Sequence, residues 1–404
     1  MSASRAWPVP PQVARLERGA LAVGGAGLLL CALGWAMDPA QFFRSYLLAF
    51  LFWSGVAIGS LSLSFIHHQT GGLWGLVIRR PLEAATRTFP VLLVLFLPLL
   101  LGLHHLYVWS HADVVAGDAL LREKAPYLNA PFFAARAAFY FVVWIALARL
   151  LNSLSARFDE QGDERTARRQ RGLAGAGLLF MGLTITFASV DWGMSLDPHW
   201  FSTIYGVMFM VGTALSALIF MILMLGALGA EAPFAGVVQR EQVHDLGKLA
   251  FAFVMLWGYV NYSQFLITWS GNLPEEVPWY QRRLHGGWQY LALALVLLHF
   301  ALPFLVLLSR DVKRNLGLLA KVMGVVFFMR LADLYWLVGP DLGGHGAGHA
   351  GVHVHWLDAA AVAGVGGVWL WAYARELPRR PLLPRREPDL EALIERGARA
   401  GGHA

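Results

Sequence analysis

The chain has almost no cysteine, little charge and no long hydrophilic stretch, and each shortage closes a class of function. A single cysteine, Cys31, stands in 404 residues. This chain can therefore supply neither an internal disulfide nor a four-cysteine iron–sulfur site, and any redox cluster belongs to a partner. Charged residues make up 14% of the sequence against 57% hydrophobic, far from the soluble average. The polar connections are short. The longest on one side covers residues 112–130 and the longest on the other 152–171, which leaves no room for a soluble catalytic domain. The net charge of +6 raises nucleic acid as a partner. The basic residues lie in short loops and at the C-terminus rather than on one soluble face, so they read as topology determinants.

What fills the chain is a series of apolar runs at 19–37, 43–66, 88–109, 131–151, 172–190, 202–230, 246–270, 284–309, 318–339 and 356–374. Each is about the length a helix needs to cross the hydrocarbon layer, and too long and unalternating for a barrel strand. The expectation is an all-α integral membrane protein with about ten transmembrane helices. Residues 1–18 form a cytoplasmic N-terminus, 19–374 the membrane domain, and 375–404 a basic tail, proline-rich at first and helical from Asp389. The first run follows Arg15 and Arg18 without a small-residue cleavage site after it, so it reads as a retained span. With a cytoplasmic N-terminus, 25 Lys and Arg face the cytoplasm and five face outward. That bias places both termini in the cytoplasm.

Between the fifth and sixth runs, on the outer side, lies VDWGMSLDPHWFSTIY, residues 190–205, with two acids and a histidine in an otherwise nearly uncharged region. Asp197-Pro198-x-x-Phe201-x-x-x-Tyr205 here repeats the spacing of Asp38-Pro39-x-x-Phe42-x-x-x-Tyr46 before the second run. Each Asp is expected to cap a helix whose first turn holds the proline. Four spans separate the two motifs. They fit either two similar caps or a duplication in parallel orientation, with spans 2 to 5 and 6 to 9 as two four-helix bundles and the others flanking. The stretch reads mainly as a docking corner between bundles, with Trp192 and Trp200 suited to the interface. Ser202 or Thr203 is expected to cap the sixth span, and Asp191 is the acid most suited to carry protons.

A charge near the bilayer centre costs about 2.5–3.5 kcal/mol, so the polar groups within spans point to an interior. Arg330 and Asp333 stand three apart on one face, either a self-neutralising pair or a proton or quinone site. Trp257, Asn261, Gln264 and Thr268 share a stripe with Lys248 near its inner end, readable as helix packing or as a hydrated path. His285, Gln289 and His299 share a face of the eighth span, and Ser60, Ser64, His67 and His68 approach the cytoplasm in the second. Proton-path candidates are Asp333, Arg330, His299, Lys248, Gln264, Asn261 and Asp191. His104, Arg136 and Asp191 form an alternative quinol site in the outer half. Haem between His104 and His285 lacks the usual repeated pairs. The loop with His345, His349, His353 and His355 is glycine-rich and reads as solvated rather than as a metal site.

At DWGMSLDPHWFSTIYG, and from Asp245 to Tyr280 in DLGKLAFAFVMLWGYVNYSQFLITWSGNLPEEVPWY, the sequence resembles the ActF membrane subunits of bacterial alternative complex III. These belong with the NrfD and polysulfide-reductase membrane subunits, and the resemblance runs through essentially all ten spans. It implies two four-helix bundles with flanking helices in the bacterial cytoplasmic membrane. It also implies a quinol:electron-acceptor oxidoreductase whose outer side carries an iron–sulfur protein and multihaem cytochromes. In that family the NrfD-like ActC paralogue is thought to oxidise quinol. ActF is thought to contribute scaffold and a proton path without its own redox centre. The readings carried forward are therefore a non-catalytic subunit of such a complex, a direct quinol-binding subunit, and a secondary transporter. Few spans are broken by mid-helix Gly-Pro, which weighs against the last.

Overall fold

The computed structural model describes residues 9–342, 351–387 and 390. Among these residues the chain is helical, without strands. The helices in the first half are α1 (Pro11–Met37), α2 (Pro39–Thr70), α3 (Leu73–Thr86), α4 (Phe89–Leu101), α5 (Leu103–Leu106), α6 (Ala112–Gly117), α7 (Ala119–Lys124), α8 (Ala130–Gln161) and α9 (Glu164–Trp192). The second half holds α10 (Tyr205–Leu228), α11 (Arg240–Gly271), α12 (Val277–Arg283), α13 (Trp288–Ala294), α14 (Leu302–Leu308), α15 (Arg310–Arg314), α16 (Leu316–Val338) and α17 (Trp356–Glu376). Nine helical stretches among the described residues are long and apolar enough to cross a membrane, and the bent pair α3 and α4 makes a tenth.

The middle of the molecule is α2, buried along nearly its whole length. It packs against α3, α9, α10 and α17. The close approach to α10 depends on Gly59, where an added Cβ would lie 2.0 Å from the Thr213 carbonyl oxygen. The remaining principal contacts are α8 on α9, α10 on α11 and α16, and α1 along α17.

Three expectations change. The basic stretch 79–87 is not a loop: it lies mostly in α3, which meets α4 at a 44° bend. Pro90 cannot donate to the Thr86 carbonyl and its ring crowds that position, so a straight helix cannot continue through it. The third crossing also ends at Leu101, short of Trp109. The eighth changes register, because α13 and α14 are joined by a π turn, Leu295–Ala301. Pro303 has no amide for the His299 carbonyl, and the Leu302 amide reaches back to the Leu297 carbonyl instead.

The two Asp-Pro motifs also behave differently. Asp38 does cap α2, accepting from the Gln41 amide at 3.0 Å. Asp197 caps no long helix: residues 198–204 are turns and irregular backbone, and α10 starts at Tyr205 without a side-chain cap from Ser202 or Thr203. The Asp197 carboxylate is held by Arg282 instead.

Beyond α17 the tail lies back over α3 and α8. Glu376 pairs with Arg87 at 3.0 Å, Arg380 donates to the Asn152 carbonyl at 2.6 Å, and Glu387 pairs with Arg79. Leu382 and Leu383 of the tail are buried. The helix expected from Asp389, and His345 and His349, lie outside the described residues apart from Leu390. His355 caps α17 by accepting from the Leu357 amide at 3.3 Å, while the His353 carbonyl accepts from the Tyr335 hydroxyl.

Candidate functional site

Helical periodicity brings Trp257, Gln264 and Thr268 of α11 to its buried face. Opposite them, α16 presents Arg330 and Asp333 one turn apart, both buried and paired with each other. The Trp257 indole donates to Asp333 Oδ2 at 3.3 Å, and Arg330 Nε donates to Ser216 Oγ of α10 at 3.3 Å. Room for the guanidinium comes from Gly212, where a Cβ would stand 2.2 Å from Arg330 Nη2. The π turn delivers His299 to the same place: its ring centroid lies 4.0 Å from that of Trp257 and the residue is 0% exposed. Neither ring nitrogen of His299 has a hydrogen-bond partner among the described residues.

Toward the C-terminal end of α11 this island continues through polar side chains. Gln264 donates to Thr268 Oγ1 at 3.2 Å and accepts from Ser202 Oγ at 2.6 Å, while Asn261 donates to the Trp257 carbonyl of its own helix at 2.9 Å. In the opposite direction along these helices, buried Val254, Leu307, Met323 and Val326 follow. Lys248 does not belong to the interior. It is exposed and pairs with Asp245 at 3.2 Å. Nine residues at about 100° each turn it to the side of α11 opposite Trp257, so its place in the sequence was misleading.

The alternative-site candidates separate. Arg136 and Asp191 meet in a bidentate pair at 2.9 and 2.8 Å, with the Tyr140 hydroxyl donating to the same carboxylate at 2.7 Å. Tyr127 and Phe132 cover the guanidinium, their ring centroids 3.8 and 4.4 Å away. His104 is not brought to this pair. Because α4 ends early, His104 lies on the short α5 and is exposed, its ring 3.7 Å from that of His111. His285 is exposed as well, its Nδ1 bonded to the Gln281 carbonyl in its own turn.

A polar line down α8 escaped the sequence reading. Below Arg136 and Tyr140, the Trp144 indole donates to Thr184 Oγ1 at 2.9 Å, Asn152 to Thr86 Oγ1 at 2.9 Å, and Ser155 to Glu83 Oε1 at 2.6 Å. Arg80 completes this end of the line, held by Glu83 at 2.6 Å and by Asp159. The spacing of these α8 residues is the available signal, but the partners of Asn152 and Ser155, Thr86 and Glu83, fall in the stretch that reads as a loop.

Residues 190–205 form a corner. Trp200 stacks on Trp279 at 4.5 Å, and Asp197 holds Arg282. The neighbouring Arg283 is 0% exposed and donates to Asp341 at 2.6 Å and to the Leu337 carbonyl at 2.6 Å. Burial lowers the pKa of this guanidinium, and Asp341 opposes the shift. From the other side Lys124 donates to the Pro198 carbonyl at 2.6 Å, and His199 meets Asp118 at 2.7 Å. The Leu121 amide and His199 hold the Asp118 carboxyl below the usual range.

No family model matches the chain, and a search of curated proteins finds no match.

Proposed function

We propose that this chain is a non-catalytic, multi-pass subunit of a quinol-oxidising respiratory complex of the alternative complex III type, serving as scaffold and as a path for protons. The observation that carries the reading is a buried Arg330–Asp333 pair with an imidazole beside it whose two nitrogens have no partner among the described residues. Ion pairs and imidazoles at such depth are expensive and are characteristic of proton relays. Gln264, Thr268 and Ser202 extend the island outward, and Asn261 lies beside it.

In this reading spans 2 to 5 and 6 to 9 are two parallel bundles, with α1 and α17 flanking. The packing of α2 on α4 and α9, and of α10 on α11 and α16, supports the arrangement. Both termini lie in the cytoplasm of a bacterium, as the cationic bias favours. Haem c and iron–sulfur clusters reside in partner subunits, a multihaem cytochrome and an iron–sulfur protein, beside an ActC-like paralogue, and quinol is the substrate of the whole complex.

Isolation of the tagged chain from native membranes tests the assembly: haem-containing partners should come with it, and recovery of the chain alone would overturn the proposal. Asp333→Asn tests the path in the assembled complex. Proton release should fall, and unchanged release with normal assembly would remove Asp333 from it.

A further inference from the structure

A narrow cavity lies where α2, α9 and α10 meet, apart from the island around His299. Ile185 and Phe209 supply part of its apolar wall, and Ser54, Ser189, Thr213 and Trp192 its polar groups. These four polar residues are at most 8% exposed.

The polar groups are arranged unequally. Ser54 Oγ donates to the Leu51 carbonyl at 3.3 Å, Ser189 Oγ to Thr186 at 2.7 Å, and Thr213 Oγ1 to Met210 at 3.0 Å. Each hydroxyl proton is thus committed inside its own helix, and what remains free is oxygen lone pairs. The Trp192 indole is the opposite case, a donor with no acceptor among the described residues, although the residue is 3% exposed. One free donor and several free acceptors therefore line one narrow cavity.

That inventory selects the occupant. A hydrocarbon chain would satisfy none of these groups. An anion would find one donor and three sets of lone pairs turned against it, and a cation would meet the indole N–H without any counter-charge. A water accepts one bond and donates two, and buried waters usually make about three. We propose that the cavity binds a structural water, which accepts from Trp192 and donates to two of the hydroxyls of Ser54, Ser189 and Thr213, tying α9 to α2 and α10 at the centre of the molecule. Ser54 and Thr213 each stand sixteen residues beyond the aspartate of an Asp-Pro motif, Asp38 and Asp197. The site thus joins the same step of the two halves.

The test is a double-mutant cycle on the full chain in lipid nanodiscs, read by thermal unfolding. Thr213→Val keeps the shape and removes an acceptor, and Trp192→Phe removes the donor. Ser60→Ala is the control, since that buried hydroxyl bonds to the Val56 carbonyl in the same manner without lining the cavity. With a shared water, Thr213→Val lowers the midpoint by about 2 °C more than the control, and costs less once Trp192 is Phe. Equal cost in both backgrounds overturns the proposal. A high-resolution map supplies the second readout: a discrete peak within hydrogen-bond distance of Trp192 Nε1 supports it, and an empty cavity or the continuous density of an acyl chain overturns it.

Discussion

Arg136 holds Asp191 with two parallel hydrogen bonds, Nε to Oδ2 at 2.9 Å and Nη2 to Oδ1 at 2.8 Å, and the Tyr140 hydroxyl closes on Oδ2. The carboxylate is buried and fully engaged, so it belongs first to the architecture that joins α8 to α9. Lysine cannot reproduce the fork. Arg136→Lys should lower the thermal midpoint, and Arg136→Ala, which strands a buried carboxylate, should cost about 3–5 kcal/mol. Replacing both residues by apolar ones should cost less than Arg136→Ala alone, as read by denaturation in detergent.

Gly212 tests the other ion pair by steric means. A methyl there would stand 2.2 Å from Arg330 Nη2. Gly212→Ala should displace the guanidinium from Asp333 and destabilise the chain by about 1–3 kcal/mol, the usual range for overpacking. If the variant melts like the parent, α10 and α16 have more slack than their packing indicates.

Pro303 tests the π turn. Pro303→Ala supplies the amide that the His299 carbonyl lacks in an α-helix. The turn should straighten into α-helix and swing the imidazole off the Trp257 ring, visible as a changed side-chain position in a map of the variant. Retention of the π turn would show that tertiary packing, rather than the proline, maintains it.

Acid should loosen the corner around Asp118. The folded Asp118 carboxyl is held below its ordinary pKa by the Leu121 amide and His199. Its contribution is therefore complete above the unfolded value of about 3.9 and is lost as pH falls through the lower folded value. Hydrogen exchange in α6 and α7 should accelerate over that interval, and Asp118→Asn should abolish this component.

Hydropathy made the crossings legible because a bilayer demands long apolar helices whatever the tertiary packing. It failed at the third, where Arg79, Arg80 and Arg87 read as a cytoplasmic loop. Their compensating groups, Glu83, Asp159, Glu376 and Glu387, lie one helix turn to hundreds of residues away, and only the fold brings them together. Arg330 and Asp333 were visible as a pair because their partnership is local. The nearness of His299 to Trp257 was not, since it depends on a register shift. Lys248 misled because its distance along the chain was weighed without its angle around the helix.

The pairing of α1 with α17 brings together the first and the last long helices among the described residues. During synthesis the first span enters the bilayer long before its principal neighbour exists, and the arginines of α3 precede the tail carboxylates of Glu376 and Glu387 that neutralise them. A product that stops short of α17 therefore leaves α1 without its principal neighbour, and Arg79 and Arg87 without the carboxylates of Glu387 and Glu376.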